Sequence, residues 1–272
     1  MISITVDVDW ASDPVLEDTL ALLDEFGVSA TVFATHDSQL LRKNKTHEIG
    51  VHPNFMHAAK LTDRLDELLC LYPNTIGVRC HSYFQNSRLL DAFVDRGIEY
   101  DSNVVMFGLS GIRAFYHWNG LVRVPVYWED DVNCEVRGSW EPSPSIADPT
   151  SLYVFTFHPI HIFLNTKDMV DYGTAKVDYH KPERLVKRRN PEVSGIGTRV
   201  YIKRLLRMVQ DEKLPTSTLA EISNGFRKAS KLPGHGDWAS LAGRRREGIR
   251  GQSAKERPRQ GPDGRGMASG KG

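Results

Sequence analysis

A parallel α/β fold, either a barrel or an open doubly wound sheet, is what this sequence predicts, on three observations. Short apolar runs alternate with amphipathic helical stretches about six times along the chain. The connections between those runs are long enough to hold a helix, which parallel pairing requires. Titratable side chains gather where the apolar runs end, and the C-terminal ends of strands are where such folds build their sites.

The first element is Ile2, Ile4, Val6 and Val8, a short buried strand closed at once by Ala-Ser-Asp-Pro. Strand alternation sets Asp7 and Asp9 on one side, opposite Val6 and Val8. Asp13 as N-cap, Pro14 in the first turn, Val15, Thr19, Leu22, Leu23 and Phe26 as a stripe, and Gly27 as a stop predict a helix. Residues 28–35 then form a second strand, and residues 48–51 a third that ends in His52-Pro53. A helix over 61–71, with Leu65, Leu68 and Leu69 inward, leads to a strand at 75–79. Asn86-Ser87 caps a helix with Leu89, Leu90, Phe93 and Val94 inward, stopped by Gly97. Strands follow at 98–100, 121–128 and 152–157, and helices at 200–209 and from Thr218. Residues 165–198 form a long polar segment, and loops of that length are usually functional or disordered.

Composition excludes several classes. The net charge is +1, but from Leu241 onward the balance is +6, which leaves −5 on the first 240 residues. A mildly acidic domain is no nucleic-acid footprint. After about Leu232 apolar periodicity stops, and 8 of the 22 glycines lie beyond Leu241. Residues 1–232 are therefore expected to fold, and 233–272 to form a disordered, basic Gly/Arg-rich tail. Cys70, Cys80 and Cys134 are odd in number and lack Cys-x-x-Cys spacing, against a disulfide framework or a thiolate zinc site. Neither a basic-then-apolar leader nor a membrane-length apolar run is present, so the expected location is cytoplasmic.

The strand ends carry Asp7 and Asp9, then His36-Asp37, His52, Arg79-Cys80-His81, Trp128-Glu129-Asp130-Asp131, and His158-Pro159-Ile160-His161. Two carboxylates side by side at the end of an apolar strand repel, and one of them needs a cation or a proton. That favours a metal site with one Asp as ligand and the other free to take a proton. Two Asp residues that merely cap a turn are the bland alternative.

In order and spacing these stretches resemble the polysaccharide deacetylase family, carbohydrate esterase family 4 with the NodB-homology domain, over roughly residues 1–225. Ile4-Thr-Val-Asp-Val-Asp9 is similar to its opening motif, Ser29-Ala-Thr-Val-Phe33 to its second strand, and His47-Glu-Ile-Gly-Val-His52 to the lead into its metal histidine. Gly77-Val-Arg79 resembles the arginine motif, Pro125-Val-Tyr-Trp-Glu-Asp-Asp131 a Trp/Asp segment, and Phe157-His158-Pro159 the last catalytic motif. The Arg-Cys-His-Ser and Phe-His-Pro-Ile-His-Ile-Phe-Leu-Asn runs are most like the branch associated with O-antigen gene clusters.

The resemblance implies a distorted (β/α) barrel of about seven parallel strands and a divalent metal, usually zinc. It implies Asp9 and His52 as metal ligands, Asp7 as general base oriented by Arg79, and His158 as general acid. Trp128, Asp130, Asp131 and His161 are expected to bind substrate, an amino sugar or glycan from which an N-acetyl group is removed in polysaccharide or O-antigen biosynthesis. A divalent ion that lowers the pKa of its water to about 7 suits amide hydrolysis at neutral pH. One departure matters: the family's second metal histidine lies four residues after the first, and position 56 is Met. His57 is one residue late, and on a helix five residues turn through about 500°. It can ligate from a loop, which Pro53 favours; His81, whose strand neighbour Arg79 shares its face, is the preferred candidate, and water is the third. Hydrolysis of another amide or cyclic imide, an inactive sugar-binding relative, and a DxD glycosyltransferase built on Asp7-Val-Asp9 remain open.

Overall fold

The computed structural model describes residues 1–56 and 62–230. His57, the boundary expected at 232 and the tail at 233–272 lie outside the described residues. The strands are β1 (Ile2–Asp7), β2 (Thr31–Ala34), β3 (Glu48–Val51), β4 (Gly77–Val78), β5 (Tyr100–Asp101), β6 (Phe115–Tyr116), β7 (Val122–Arg123), β8 (Trp128–Glu129) and β9 (Tyr153–Phe157). They make one sheet in the order β6-β7-β5-β4-β3-β2-β1-β9-β8. Every pairing is parallel except β6 against β7 at one edge.

The sheet curls into an incomplete barrel, and one side chain demonstrates it. In a flat sheet β4 and β1, with two strands between them, would stand roughly 14 Å apart. Yet Arg79, just past the end of β4, donates from Nη1 to Thr5 Oγ1 of β1 at 2.8 Å. The interior it crosses is polar: Thr5 Oγ1 lies 3.1 Å from Thr156 Oγ1 of β9, while Ile2, Ile4 and Val6 alternate to the other face and are buried.

The strand expected over 121–128 is two strands. Pro125 has no N–H to give a ladder, and the chain changes partner there. Before it, β7 pairs with β5, one strand in from the β6 edge; after it, β8 pairs with β9 at the opposite edge. Residues 121–129 thus run from β7 to β8, with Val126 bridging to Val105 on the way.

The helices are α1 (Asp13–Glu25), α2 (Gln39–Lys43), α3 (Asp63–Leu71), α4 (Ser87–Asp95), α5 (Asp130–Val136), α6 (Pro159–Leu164), α7 (Met169–Ala175), α8 (Pro182–Leu185), α9 (Thr198–Asp211) and α10 (Leu219–Ala229). In α1 the cap position falls to Ser12, one residue earlier than expected, and the Asp13 carboxylate instead accepts from Ser38 Oγ at 2.7 Å. α10 starts with a reciprocal capping box between Thr218 and Glu221. The polar segment at 165–198 is ordered into α7, α8 and single 3-10 turns. Asp168 caps α7 by accepting from the Asp171 N–H at 2.8 Å, and Arg188 Nε donates to Asp178 at 2.8 Å. Among the described residues no helix is long and apolar enough to cross a membrane.

Candidate active site

The C-terminal mouth of the half-barrel is built in two halves. In the first, β1 delivers Asp7 by alternation, but Asp9 arrives differently from expectation. β1 ends at Asp7, and Asp9 and Trp10 take left-handed backbone angles, with φ of 44° and 59°. Non-glycine residues rarely occupy that region unless surrounding bonds hold them there. Here Tyr179 Oη donates to the Asp9 carbonyl at 2.6 Å, and the Trp10 N–H donates to Thr35 Oγ1 at 2.9 Å. A turn, not strand alternation, therefore aims Asp9 at the mouth.

His52, at the end of β3, is buried, with Nε2 3.1 Å from Asp9 Oδ1. His81 follows β4 and places Nδ1 3.3 Å from the same oxygen. Its position is fixed by its backbone N–H, which donates to the Pro53 carbonyl at 3.1 Å, and by a left-handed turn at Ser82 and Tyr83. Trp10 packs edge-on against the His81 ring at 5.1 Å. The ligand atoms of Asp9, His52 and His81 all lie within 4.8 Å of one another. A carboxylate with two imidazoles is a donor set for a zinc-like ion with room left for water. Among the described residues His52 Nδ1 has no hydrogen-bond partner, with Asp7 Oδ2 4.0 Å away. Burial pushes the Asp9 carboxyl up, but the bonds from His52 and His81 outweigh it and hold it well below the usual carboxylate range. The bond to Asp9 raises His81. The residues present fit a divalent cation.

Beneath this set sits Arg79, fully buried. Nη1 donates to Asp7 Oδ1 at 2.9 Å, Nε to the Ser102 carbonyl at 3.1 Å and Nη2 to Ser102 Oγ at 2.8 Å. Its fork is thereby locked, and with it the Asp7 carboxylate.

The second half comes from helix starts. Asp130 and Asp131 open α5, and His158 and His161 flank the start of α6. They pair in register. Asp130 Oδ1 is 2.7 Å from His158 Nδ1, and its Oδ2 accepts the His158 N–H at 2.8 Å. Asp131 Oδ1 is 2.5 Å from His161 Nε2, whose Nδ1 is 3.0 Å from Thr166 Oγ1. His158 Nε2 faces Asp9 Oδ2 at 3.6 Å, which joins the halves. Burial opposes a charge on His158, but Asp131, Asp130 and Asp9 override it and raise the imidazole well above its ordinary value.

Two of the expected substrate contacts need correction. Trp128 is buried and stacks on Tyr201 at 4.2 Å, because alternation along β8 turns it outward into the core. Asp130 is fully buried and spent on His158. Asp131 and His161 do reach the mouth. His36 and Asp37 stay outside it, bonded to Thr35 and Arg42. Sequence reasoning passed over Glu129, which alternation from Trp128 points inward; burial pushes its carboxyl up to about 8. It also missed Tyr83 beside Glu129, Tyr172 packed on His161 at 4.5 Å, and Tyr179. The tyrosines at 172 and 179 gave no signal, lying in a segment without periodicity.

Comparison with known proteins finds similar chains. The family model of WbmS-like polysaccharide deacetylases matches residues 4–176. A crystal structure of WbmS from Bordetella bronchiseptica, assigned as a polysaccharide deacetylase involved in O-antigen biosynthesis, is 37% identical, with a TM-score of 0.70 over 76% of this chain and 89% of that one. A polysaccharide deacetylase assigned in Mycobacterium smegmatis shares the fold at 17% identity, with a TM-score of 0.51 over 85% of this chain and 91% of that one. No curated protein matches. With the family model spanning well over half of its length, the chain belongs to the WbmS-like polysaccharide deacetylases.

Proposed function

We propose that this protein is a divalent-metal-dependent deacetylase that removes the N-acetyl group from an amino sugar during O-antigen biosynthesis in the cytoplasm. The observation that carries the reading is the convergence of Asp9, His52 and His81 on one point, with the Arg79-locked Asp7 on one side and the Asp130-held His158 on the other. Asp9, His52 and His81 hold the ion, zinc by donor type. Bound there, it would supply Lewis acidity for a water nucleophile and for the amide carbonyl. Asp7 accepts the proton of the attacking water, held in place by Arg79. His158, kept protonated by its carboxylate neighbours, hands its Nε2 proton to the departing sugar amine. Asp130 holds His158 by its other ring nitrogen. Asp131 and His161, at the mouth, meet the sugar hydroxyls. The O-antigen context follows the likeness to the Bordetella protein, and the free cysteines at 70, 80 and 134 fit a reducing compartment.

The test is metal analysis of the purified protein, together with acetate release from N-acetylated nucleotide sugars and lipid-linked glycans. About one ion per chain and release from one of these classes is expected. Full folding with no ion and no release from any of them overturns the reading in favour of a sugar-binding relative.

A further inference from the structure

We propose that Asp131, His158 and His161 form a second divalent-cation site, and that an ion held there silences the enzyme by occupying the ring nitrogen that donates its proton. The binding half stands on geometry alone; the silencing half rests on the role of His158 given above.

Three side chains outside the Asp9 set offer ligand atoms within 4.8 Å of one another: a carboxylate oxygen of Asp131 and one ring nitrogen each from His158 and His161. Both rings are anchored from behind. His158 Nδ1 is held by Asp130 at 2.7 Å and His161 Nδ1 by Thr166 at 3.0 Å, so both Nε2 atoms face Asp131. A ring fixed through one nitrogen by a carboxylate or hydroxyl, with the other free, is how metal-bound histidines are oriented. Asp131 Oδ1 is buried and makes no hydrogen bond of acceptable geometry, although His161 Nε2 is 2.5 Å away. Its close neighbour is thus the His161 ring nitrogen, itself a metal-ligating atom.

Distances suit a shared ion after a small turn of one side chain. Ligands around tetrahedral zinc stand roughly 3.3 Å apart. Asp131 Oδ1 lies 2.5 Å from His161 Nε2 and Oδ2 lies 4.0 Å from His158 Nε2, on either side of that figure, and the side chain is 40% exposed. Asp9 links the two sets: Oδ1 faces His52 and His81, and Oδ2 faces His158 at 3.6 Å. Around this mouth five carboxyl groups (Asp7, Asp9, Glu129, Asp130 and Asp131) meet, among the described residues, one guanidinium, Arg79. Such crowding draws protons or cations. Because Asp131 is half-buried and has to turn from its present pairing with His161 to reach a shared ion, the second ion binds more weakly than the first. Excess metal is therefore the condition under which the proton donor is lost.

Equilibrium dialysis of the full-length protein against rising zinc, with ions counted by emission spectrometry and deacetylation measured in parallel, tests this. Wild type is expected to take one ion at limiting zinc and a second at excess, the rate rising with the first and falling at least about tenfold with the second. His161→Ala is expected to stop at one ion and to lose the fall relative to its own maximum. His52→Ala is expected to lose the tight ion and keep the weak one. If His161→Ala does not fold, Asp131→Asn takes its place. Saturation of wild type at one ion, or a second ion that survives in both variants, overturns the second site. Two ions without inhibition overturn the silencing. One ion lost in His161→Ala and retained in His52→Ala overturns the metal assignment under the proposed function instead.

Discussion

The two halves of the mouth balance their carboxylates by different means. On the strand side, Asp7 faces a guanidinium that is charged at every working pH, buried and bonded through Nε and both terminal nitrogens. On the helix side no arginine is present among the described residues that face Asp130 and Asp131, and their partners are His158 and His161. A permanent cation leaves its carboxylate free to accept a proton, whereas an imidazole beside a carboxylate acquires one and can give it back. The proposed division between base and acid thus follows from which cation each half was built around.

Substitution of the two strand-side carboxylates should break that division most severely. Asp7→Asn is expected to keep the metal and lower turnover by about 10²–10⁴-fold, because it removes the proton acceptor alone. Asp9→Asn is expected to lose metal as well as turnover. Zinc stoichiometry beside kcat separates them, and equal metal loss in both would show that the carboxylates share one role.

Glu129 sharpens the contrast from inside the half-barrel. It lies near the Arg79 guanidinium, but burial pushes its carboxyl up to about 8 from an unfolded value of 4.5. The native state then binds a proton that the unfolded chain has released, so stability falls as pH rises from about 4.5 to about 8. Glu129→Gln keeps the neutral shape and removes that slope. The variant should gain on wild type across this window by at most roughly 4–5 kcal/mol, read as the pH dependence of the difference in denaturation midpoints. Parallel curves for the two proteins would mean that Glu129 is charged and that Arg79 serves two carboxylates.

On the helix side Asp130→Asn is expected to lower turnover by roughly 10- to 100-fold while the tight ion stays bound. An amide still reaches His158 Nδ1 but no longer favours the charged ring. A pH–rate profile checks this: the limb assigned to the acid should move to lower pH, and an unmoved limb would remove Asp130 from the proton donor's support.

How far the sequence foretold this site differs between the same two halves. Asp7 and Arg79 were legible because strand alternation and motif spacing both pointed to one face, and the alternating apolar and helical runs made the parallel α/β class plain. Asp9 was expected at the mouth for the wrong geometric reason, since a left-handed turn carries it there. Trp128 and Glu129 show the opposite failure: the motif drew attention to the tryptophan, while the two-residue period of β8 turned the glutamate inward. The split of residues 121–128 follows from Pro125, a signal present in the sequence but outweighed by the apolar residues on either side of it. Tyr172 and Tyr179 could not be read at all, because their segment is held by ion pairs such as Asp178 with Arg188 and not by a periodic apolar face.

Tyr179 supplies the smallest of these effects and the finest test of how the halves depend on each other. It belongs to the polar segment beyond α7, on the helix side, yet its hydroxyl donates to the carbonyl of Asp9 on the strand side at 2.6 Å. Asp9 sits at φ 44°, a conformation that its own chain does not favour. Removing the hydroxyl in Tyr179→Phe keeps the ring in place and takes away one hydrogen bond, worth about 1 kcal/mol. That energy holds the metal-facing turn, so the loss should appear as a roughly fivefold weaker zinc affinity at nearly unchanged unfolding temperature. Asp9→Asn would by comparison abolish tight binding. Should Tyr179→Phe bind zinc as wild type does, the Trp10–Thr35 bond alone maintains the turn, and the strand half is self-sufficient. A drop in unfolding temperature without a change in zinc affinity would place Tyr179 in the packing of its own segment. A fivefold loss confined to zinc affinity makes the segment at 165–198 part of the metal site, through a single backbone carbonyl.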